Sequence, residues 1–325
     1  MTGSARAKFG FFLPMGSYRD SVKAATIAES LQLDSIWVYD DLHGFPYEEV
    51  LEPLTIWAAV AQATKRISLG SGVIAIQRHH PVTLSKALAT VDHISGGRII
   101  CGIGAGGSDA SYGFPAVPMP ALRMKEAIEV MKSLWTEERT NYTGTYYEIS
   151  DARLVPKPLQ KPHPPIWLGA NNPRTMRLVG EIADGWLPMT TTPKLFNEDL
   201  EYVREHAEMA GRRADDIHNG LLLYTLVGKD SSTVKRDFEP LARPTMLWLN
   251  GRSLRRLGYA MPKSVSDAPS EVLMQMAAYG TPQDVVHSIG AFIDAGVEHF
   301  VLGVMPPGRT EEQMRIFAEE VLPLL

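Results

Sequence analysis

Eight times along the chain a short β-branched or aromatic run gives way to an amphipathic helical stretch. "KFGFFLP" leads to 21–31, "SIWVY" to 54–64, "ISLGSGVIAI" to 82–94 and "RIICGIG" to 121–138. The pattern resumes with "PIWLGA" and 173–184, "GWLPM" and 193–211, "GLLLYTLVG" and a longer helical region ending at 281–295, then "EHFVLGV" and 309–322. A strand that stays apolar at successive positions is buried on both faces, which requires parallel pairing beneath a layer of helices. Eight such units close most economically into an α/β (β/α)8 TIM barrel.

Local punctuation agrees. Asn172-Pro173 and Thr281-Pro282 each set a capping side chain before a proline at the first helical position. No Ser/Gly-rich linker or charge block marks a boundary, so residues 1–325 read as one domain. Its surplus over a minimal barrel falls at 105–120 after the fourth strand, 141–165 before the fifth and 229–280 after the seventh. The middle one begins rich in Tyr and Thr and ends rich in Pro, predicting a small hairpin and then an extended run. A net charge of −5 disfavours nucleic acid and membrane surfaces as partners. No apolar stretch has the length of a secretory leader or a membrane span, which predicts a soluble cytoplasmic protein. Cys101 is the single cysteine, so no intrachain disulfide or Cys-rich zinc site exists, and it reads as a packing residue.

Barrels of this kind hold ligands at the C-terminal ends of their strands. After the second strand come Asp40, Asp41 and His43, either polar caps of a strand end or groups facing a ligand. Gly70 and Gly72 in "LGSGV" imply a bulge with a close approach, to a flat ligand or to a neighbouring large side chain. After the fourth strand, "GIGAGGSDASYGF" bares the backbone at Gly102, Gly104, Gly106 and Gly107, as a loop wrapping a phosphate or a planar ring would. No helix starts directly after it, which disfavours a nicotinamide-dinucleotide fingerprint. After the fifth strand, Gly169, Ala170 and Asn171 lead into a helix at Pro173 with Arg174 and Arg177 in its first turns, a ready anion site. Together these loops describe a pocket for a large flat ligand with a phosphate tail, which a flavin-like cofactor fits. Adjacent His79 and His80 read as loop residues and not as metal ligands, so no metal is expected. The four arginines of "RPTMLWLNGRSLRR" read as the coat of a helix, with guidance of an anionic tail as the alternative.

"WVYDDL", "LGSGV", "HPVTLSKALATVDHISGGRIICGIGAGG", "PPIWLGANNPRTMRLVGEIADGW" and "YGTPQDVVHSIGAFIDAGVEHFVLGV" together resemble the bacterial luciferase-like superfamily, over nearly the whole chain. Within it the nearest resemblance is to the branch using the deazaflavin coenzyme F420, which includes methylenetetrahydromethanopterin reductase and a sugar-phosphate enzyme, the glucose-6-phosphate dehydrogenase of that coenzyme. The resemblance implies a non-prolyl cis peptide at Gly72-Val73, in the "SGV" bulge of Ser71, Gly72 and Val73, pressing on the back of the deazaflavin ring. It implies that Gly104, Ala105, Gly106 and Gly107 contact the cofactor's side chain, that the backbone of Leu168, Gly169, Ala170 and Asn171, near Arg174, receives its phosphate, and that Asp40 borders the ring.

The chain also departs from that branch. Asp41 stands where a histidine serves as base in the sugar-phosphate enzyme, and Gly107 stands where that enzyme has a glutamate. The pterin reductase's first-strand glutamate has no counterpart in "FGFFLP". Asp41, His43 and Asp109 are therefore the candidate proton-handling groups, Asp41 through a pKa raised by burial. Phe11, Phe12, Asp41, Ile76 and 108–114 are expected to line the space over the ring, favouring an apolar or aromatic-tolerant small-molecule substrate, with core packing an equal alternative for Phe11. The implied function is an F420-dependent oxidoreductase, chiefly a reductase, forming a homodimer as the family does. The alternatives are an FMN-dependent monooxygenase and a non-catalytic flavin-binding relative.

Overall fold

The computed structural model describes residues 6–43, 49–106, 113, 117–249, 251–264, 267 and 270–325. All eight apolar runs form strands. β1 (Lys8–Phe12), β2 (Ser35–Val38), β3 (Ser68–Ser71) with its continuation β4 (Ile74–Ala75), and β5 (Ile99–Gly104) make the first half of the barrel. A two-stranded antiparallel hairpin, β6 (Thr140–Thr143) and β7 (Glu148–Ala152), follows as the middle insertion. The second half comprises β8 (Ile166–Gly169), β9 (Gly185–Trp186), β10 (His218–Val227) and β12 (His299–Val304), with β11 (Ala277–Gly280) between the last two in sequence. Every barrel pairing is parallel, and β12 returns to β1 through Lys8↔His299 to Phe11↔Leu302, closing the ring. β11 is an added strand, paired to the far end of β10 through Tyr224↔Ala277 to Val227↔Gly280.

Helices α1 (Tyr18–Ser30), α2 (Pro53–Ala63), α3 (Pro81–Ser95), α4 (Pro120–Thr136), α5 (Pro173–Ile182) and α6 (Pro193–Met209) alternate with the strands. The insertion after β10 folds as α7 (Ser231–Leu249), α8 (Gly251–Arg256) and α9 (Ser270–Met274), and α10 (Pro282–Asp294) and α11 (Thr310–Ile316) complete the layer. Asn172 caps α5 by accepting from the Arg174 and Thr175 amides, and Thr281 forms a full capping box with Asp284 on α10, as the Asn-Pro and Thr-Pro pairs predict. Among the described residues no helix is long and apolar enough to cross a membrane.

The period-two alternation of each strand divides the interior in two. Phe9, Phe11, Ile36, Val38, Cys101, Ile103, Leu168 and Phe300 face outward into the main core with the helices. Trp37, Trp167, Leu187, Leu222 and Val301 fill the barrel itself. Trp37 packs 5.7 Å from Trp167 and edge-on to His299, and donates to Ser35 Oγ at 2.8 Å. Ser35 Oγ lies 2.6 Å from His299 Nε2. Burial, then the charges of Lys8 and His218, hold His299 down to about 3, so the imidazole is neutral in this plug. The close approach at Gly70 is to this plug, since a Cβ there would sit 2.3 Å from the Trp37 ring. The glycine serves a large neighbouring side chain and not a ligand.

Candidate active site

Above the tryptophan plug, the strand ends build a wall made largely of backbone. After β3 the chain bulges, and the Gly72-Val73 peptide is cis, as the resemblance implies. Ser71 is fully buried, its Oγ donating to the Gly102 carbonyl at 2.8 Å and accepting from the Gly102 amide at 2.9 Å. This two-way bond stitches the bulge to β5, so the Ser71 side chain fastens the wall instead of reaching the pocket. Val73 is the bulge's inward side chain, and two strand-end glycines make room for it. A Cβ on Gly104 would lie 2.5 Å from Val73 Cγ2, and one on Gly169 would lie 3.0 Å from Cγ1. These glycines bare a flat surface indirectly, by letting the bulge seat against β5 and β8.

Asp40 holds the far side of the bulge. Its Oδ2 accepts from the Ala75 amide at 3.0 Å and lies 2.9 Å from His79 Nε2. Its Oδ1 is 3.2 Å from Arg78 Nη2, which also donates to the Asp40 carbonyl. The side chains of Arg78 and Asp40 are only 7% and 11% exposed, so this is a largely buried ion pair. Sequence reasoning set His79 aside as a loop residue, yet it and Arg78 are the partners of Asp40. His80 does point elsewhere, capping α3 through Val82 and lying edge-on to Tyr147, and no group of three potential ligands for a metal occurs among the described residues.

The side chains over this wall differ in part from expectation. Phe11 is fully buried edge-on to Phe317 at 5.5 Å, and Ile76 is fully buried in the core, so neither lines the pocket. The reason for Phe11 is strand alternation, which turns Phe12 inward when Phe9 and Phe11 face the helices. Phe12 lies edge-on to Tyr39 at 5.8 Å and against Gly72, where a Cβ would fall 2.9 Å from its Cζ. Asp41 and His43 are half-buried beyond Tyr39. Gly107, Asp109 and most of 108–114 lie outside the described residues. Leu168 and Ala170 are buried, leaving only their backbone for a ligand, and Gly106, at φ +75°, follows Gly104 and Ala105 along the rim.

Tyr224, hidden in the apolar run of β10, was not singled out by the sequence. Its ring lies over Gly303, where a Cβ would meet it at 3.0 Å, beside Phe12. Burial, then the charges of Asp41 and Tyr39, push its hydroxyl up to about 12, so it is a neutral O–H donor at physiological pH. An ultraviolet titration is expected to place one phenol near 12, and Asp41→Asn to lower that value by removing a negative charge. No change in Asp41→Asn would show that the carboxylate does not act on Tyr224.

The anion end is more elaborate than the sequence implied. Asn171 bridges to Met189, donating from Nδ2 to its carbonyl at 2.8 Å and accepting from its amide at 3.3 Å. Arg252 of α8 donates to the Asn171 carbonyl. The arginine run therefore reaches this loop as well as coating a helix.

A model of luciferase-like monooxygenases matches residues 5–299. The chain belongs to the luciferase-like family. This luciferase-like chain is 30% identical over 315 residues to the F420-dependent glucose-6-phosphate dehydrogenase of Microbacterium testaceum, covering 92% of this chain and 91% of that protein. It is 27% identical over 345 residues to the 5,10-methylenetetrahydromethanopterin reductase of Archaeoglobus fulgidus, covering 98% and 99%. The solved coenzyme F420 dependent tetrahydromethanopterin reductase of Methanopyrus kandleri shares the fold at a TM-score of 0.82 and 22% identity, covering 98% of this chain and 99% of that one.

Proposed function

We propose that this luciferase-like chain is a coenzyme F420-dependent oxidoreductase, chiefly a reductase, passing hydride between the deazaflavin and a small organic substrate. The reading places it in the cytoplasm as a homodimer of single barrel domains. The observation that carries it is the backbone wall, in which the bulge at Gly72-Val73 is stitched to β5 by Ser71, clamped by Asp40 and seated against Gly104 and Gly169. The named activities of the relatives in Microbacterium and Archaeoglobus support the choice of cofactor. A flat ring suits a wall with few projecting side chains, and the backbone at 168–171 suits a phosphate.

When bound, the deazaflavin supplies hydride transfer and little oxygen chemistry, because it lacks the flavin nitrogen that supports the latter. The chain's own residues do the rest. Val73 and the bulge back the ring, and Phe12 and Tyr39 give the facing space an apolar, aromatic-tolerant lining. Asp41 and the Tyr224 hydroxyl hold the protons at the pocket's edge. The histidine and glutamate that mark the sugar-phosphate enzyme are not at their matching positions, Asp41 and Gly107, so a sugar phosphate is not the proposed substrate.

A fluorescence titration of the protein with oxidised deazaflavin and, separately, with FMN tests the reading. Tight deazaflavin binding with weak FMN binding is the expected result; preference for FMN would redirect the assignment to oxygen-dependent chemistry. With a reducible substrate in hand, Asp41→Asn should lower turnover by about 100-fold or more. A loss within about threefold would remove Asp41 from proton transfer.

A further inference from the structure

Outside the ring pocket, among the described residues, the chain places three arginines that no ion pair engages near the loop at Asn171. We infer that Arg252 and Arg255 of α8, with Arg174 of α5, form a second anchoring site, for a trail of phosphate and carboxylate groups on the ligand whose ring occupies the pocket. This rests on the deazaflavin reading above.

α8 belongs to the insertion after β10, and Arg256 fixes its place. That guanidinium reaches both oxygens of Asp199 at 2.7 Å and Glu198 at 2.8 Å, tying α8 to α6. So held, α8 brings Arg252 onto the Asn171 carbonyl, and Ser253 shares a small concavity with Ala170, Asn171, Met189 and Thr191. Asp199 also borders that concavity, but both its oxygens are taken by Arg256.

Arg255 stands three residues beyond Arg252 on the same helix face and is exposed, as is Arg174 on the first turn of α5. Among the described residues no ion pair engages Arg174, Arg252 or Arg255, whereas Arg177 is paired with Glu181 and Arg256 with Asp199 and Glu198. The Arg252 guanidinium spends one donor on Asn171 and keeps a planar fork suited to phosphate or carboxylate oxygens. Asn171 is locked to Met189 on both its side-chain atoms, so the loop beneath these arginines is braced and not free to fold over them. Arg252 thus stands on the backbone proposed to take the phosphate, with Arg255 one turn further along α8 and Arg174 three residues beyond Asn171, and these are the cations that further anionic groups of the ligand would meet.

The test compares two probes by fluorescence titration: the deazaflavin coenzyme with its oligoglutamate tail, and the tail-free form that ends just beyond its phosphate. Wild type should bind the tailed form at least about tenfold more tightly at low salt, a gap that narrows as salt is added. In Arg252→Gln/Arg255→Gln most of that gap should vanish through weaker binding of the tailed form, with the tail-free form within about twofold of wild type. Arg255→Gln alone, at an exposed position, should show part of the same loss without any change in melting temperature. Arg204→Gln, which removes a comparable surface charge paired to Glu201, should leave both probes unaffected. Equal affinity of wild type for the two probes, or a gap that persists in the double variant, overturns the inference. Failure of wild type to bind either probe overturns the deazaflavin reading itself, and the anchoring site with it.

Discussion

Gly102→Ala is expected to be the most damaging small substitution in the barrel. A Cβ at this position would lie 1.6 Å from the Ser71 carbonyl oxygen and 2.8 Å from its carbon, both backbone atoms that cannot swing aside. The only relief is to part β3 from β5, which would also break the two-way bond between Ser71 Oγ and the Gly102 backbone. Such an overlap belongs with the largest single-residue effects, about 4 kcal/mol or more, or roughly 10 °C in melting temperature for a chain of this size. Because the displaced segment is the bulge, deazaflavin affinity should fall with it. Gly290→Ala is the matched control: nothing lies within 4 Å of its Cβ, and inside α10 it should stabilise by about 0.5–1 kcal/mol. A Gly102→Ala protein melting within a few degrees of wild type would refute the account of how the bulge is held.

The second large effect is expected at Asp40. Asp40→Ala removes the acceptor of the Ala75 amide, the partner of His79 and the carboxylate beside a guanidinium whose side chain is 7% exposed. Breaking a buried pair from one side costs about 3–5 kcal/mol, because the remaining charge loses its compensation without regaining water. Asp40→Asn leaves the Arg78 charge equally uncompensated but keeps an oxygen for Ala75, and should therefore cost less by about 1 kcal/mol. The order wild type, Asn, Ala should appear both in denaturant midpoint and in deazaflavin affinity. If Asp40 served only to touch the cofactor ring, affinity would fall in both variants with stability unchanged, and denaturation would expose that at once.

The barrel was legible because its strands are buried on both sides: "RIICGIG" and "EHFVLGV" have no polar face to confuse them with surface strands. The caps at Asn172 and Thr281 were legible for a similarly local reason. β11 was not, since "AAYG" carries neither β-branched residues nor length, and it exists only because the end of β10 offers it a partner. Within the site, local pattern reached the glycines but not what each one faces. Gly70 serves Trp37, and Gly104 and Gly169 serve Val73, through contacts between strands that no spacing within one strand reveals. The same holds for Arg78 and His79, whose carboxylate lies 38 and 39 residues away. Phe11 stood open between pocket and core for want of strand phase, and Tyr224 was hidden because an inward tyrosine in an apolar run looks like any other core residue.

The loop that follows β5 is fastened at both ends by side chains from elsewhere. At its start, Gln77 donates to the Ala105 carbonyl, and Arg123 joins the Gln77 carbonyl at 3.2 Å to the Tyr147 hydroxyl at 3.1 Å. At its end, the Tyr146 hydroxyl donates to Pro118, and Glu126 secures the hairpin tip through the Thr145 and Tyr146 amides at 2.8 and 2.7 Å. For protein engineering this ties the rim at Ala105 and Pro118 to the hairpin and to α4, so that a change at Arg123, Glu126 or Tyr146 is felt at the mouth of the barrel although none of the three stands on a barrel strand.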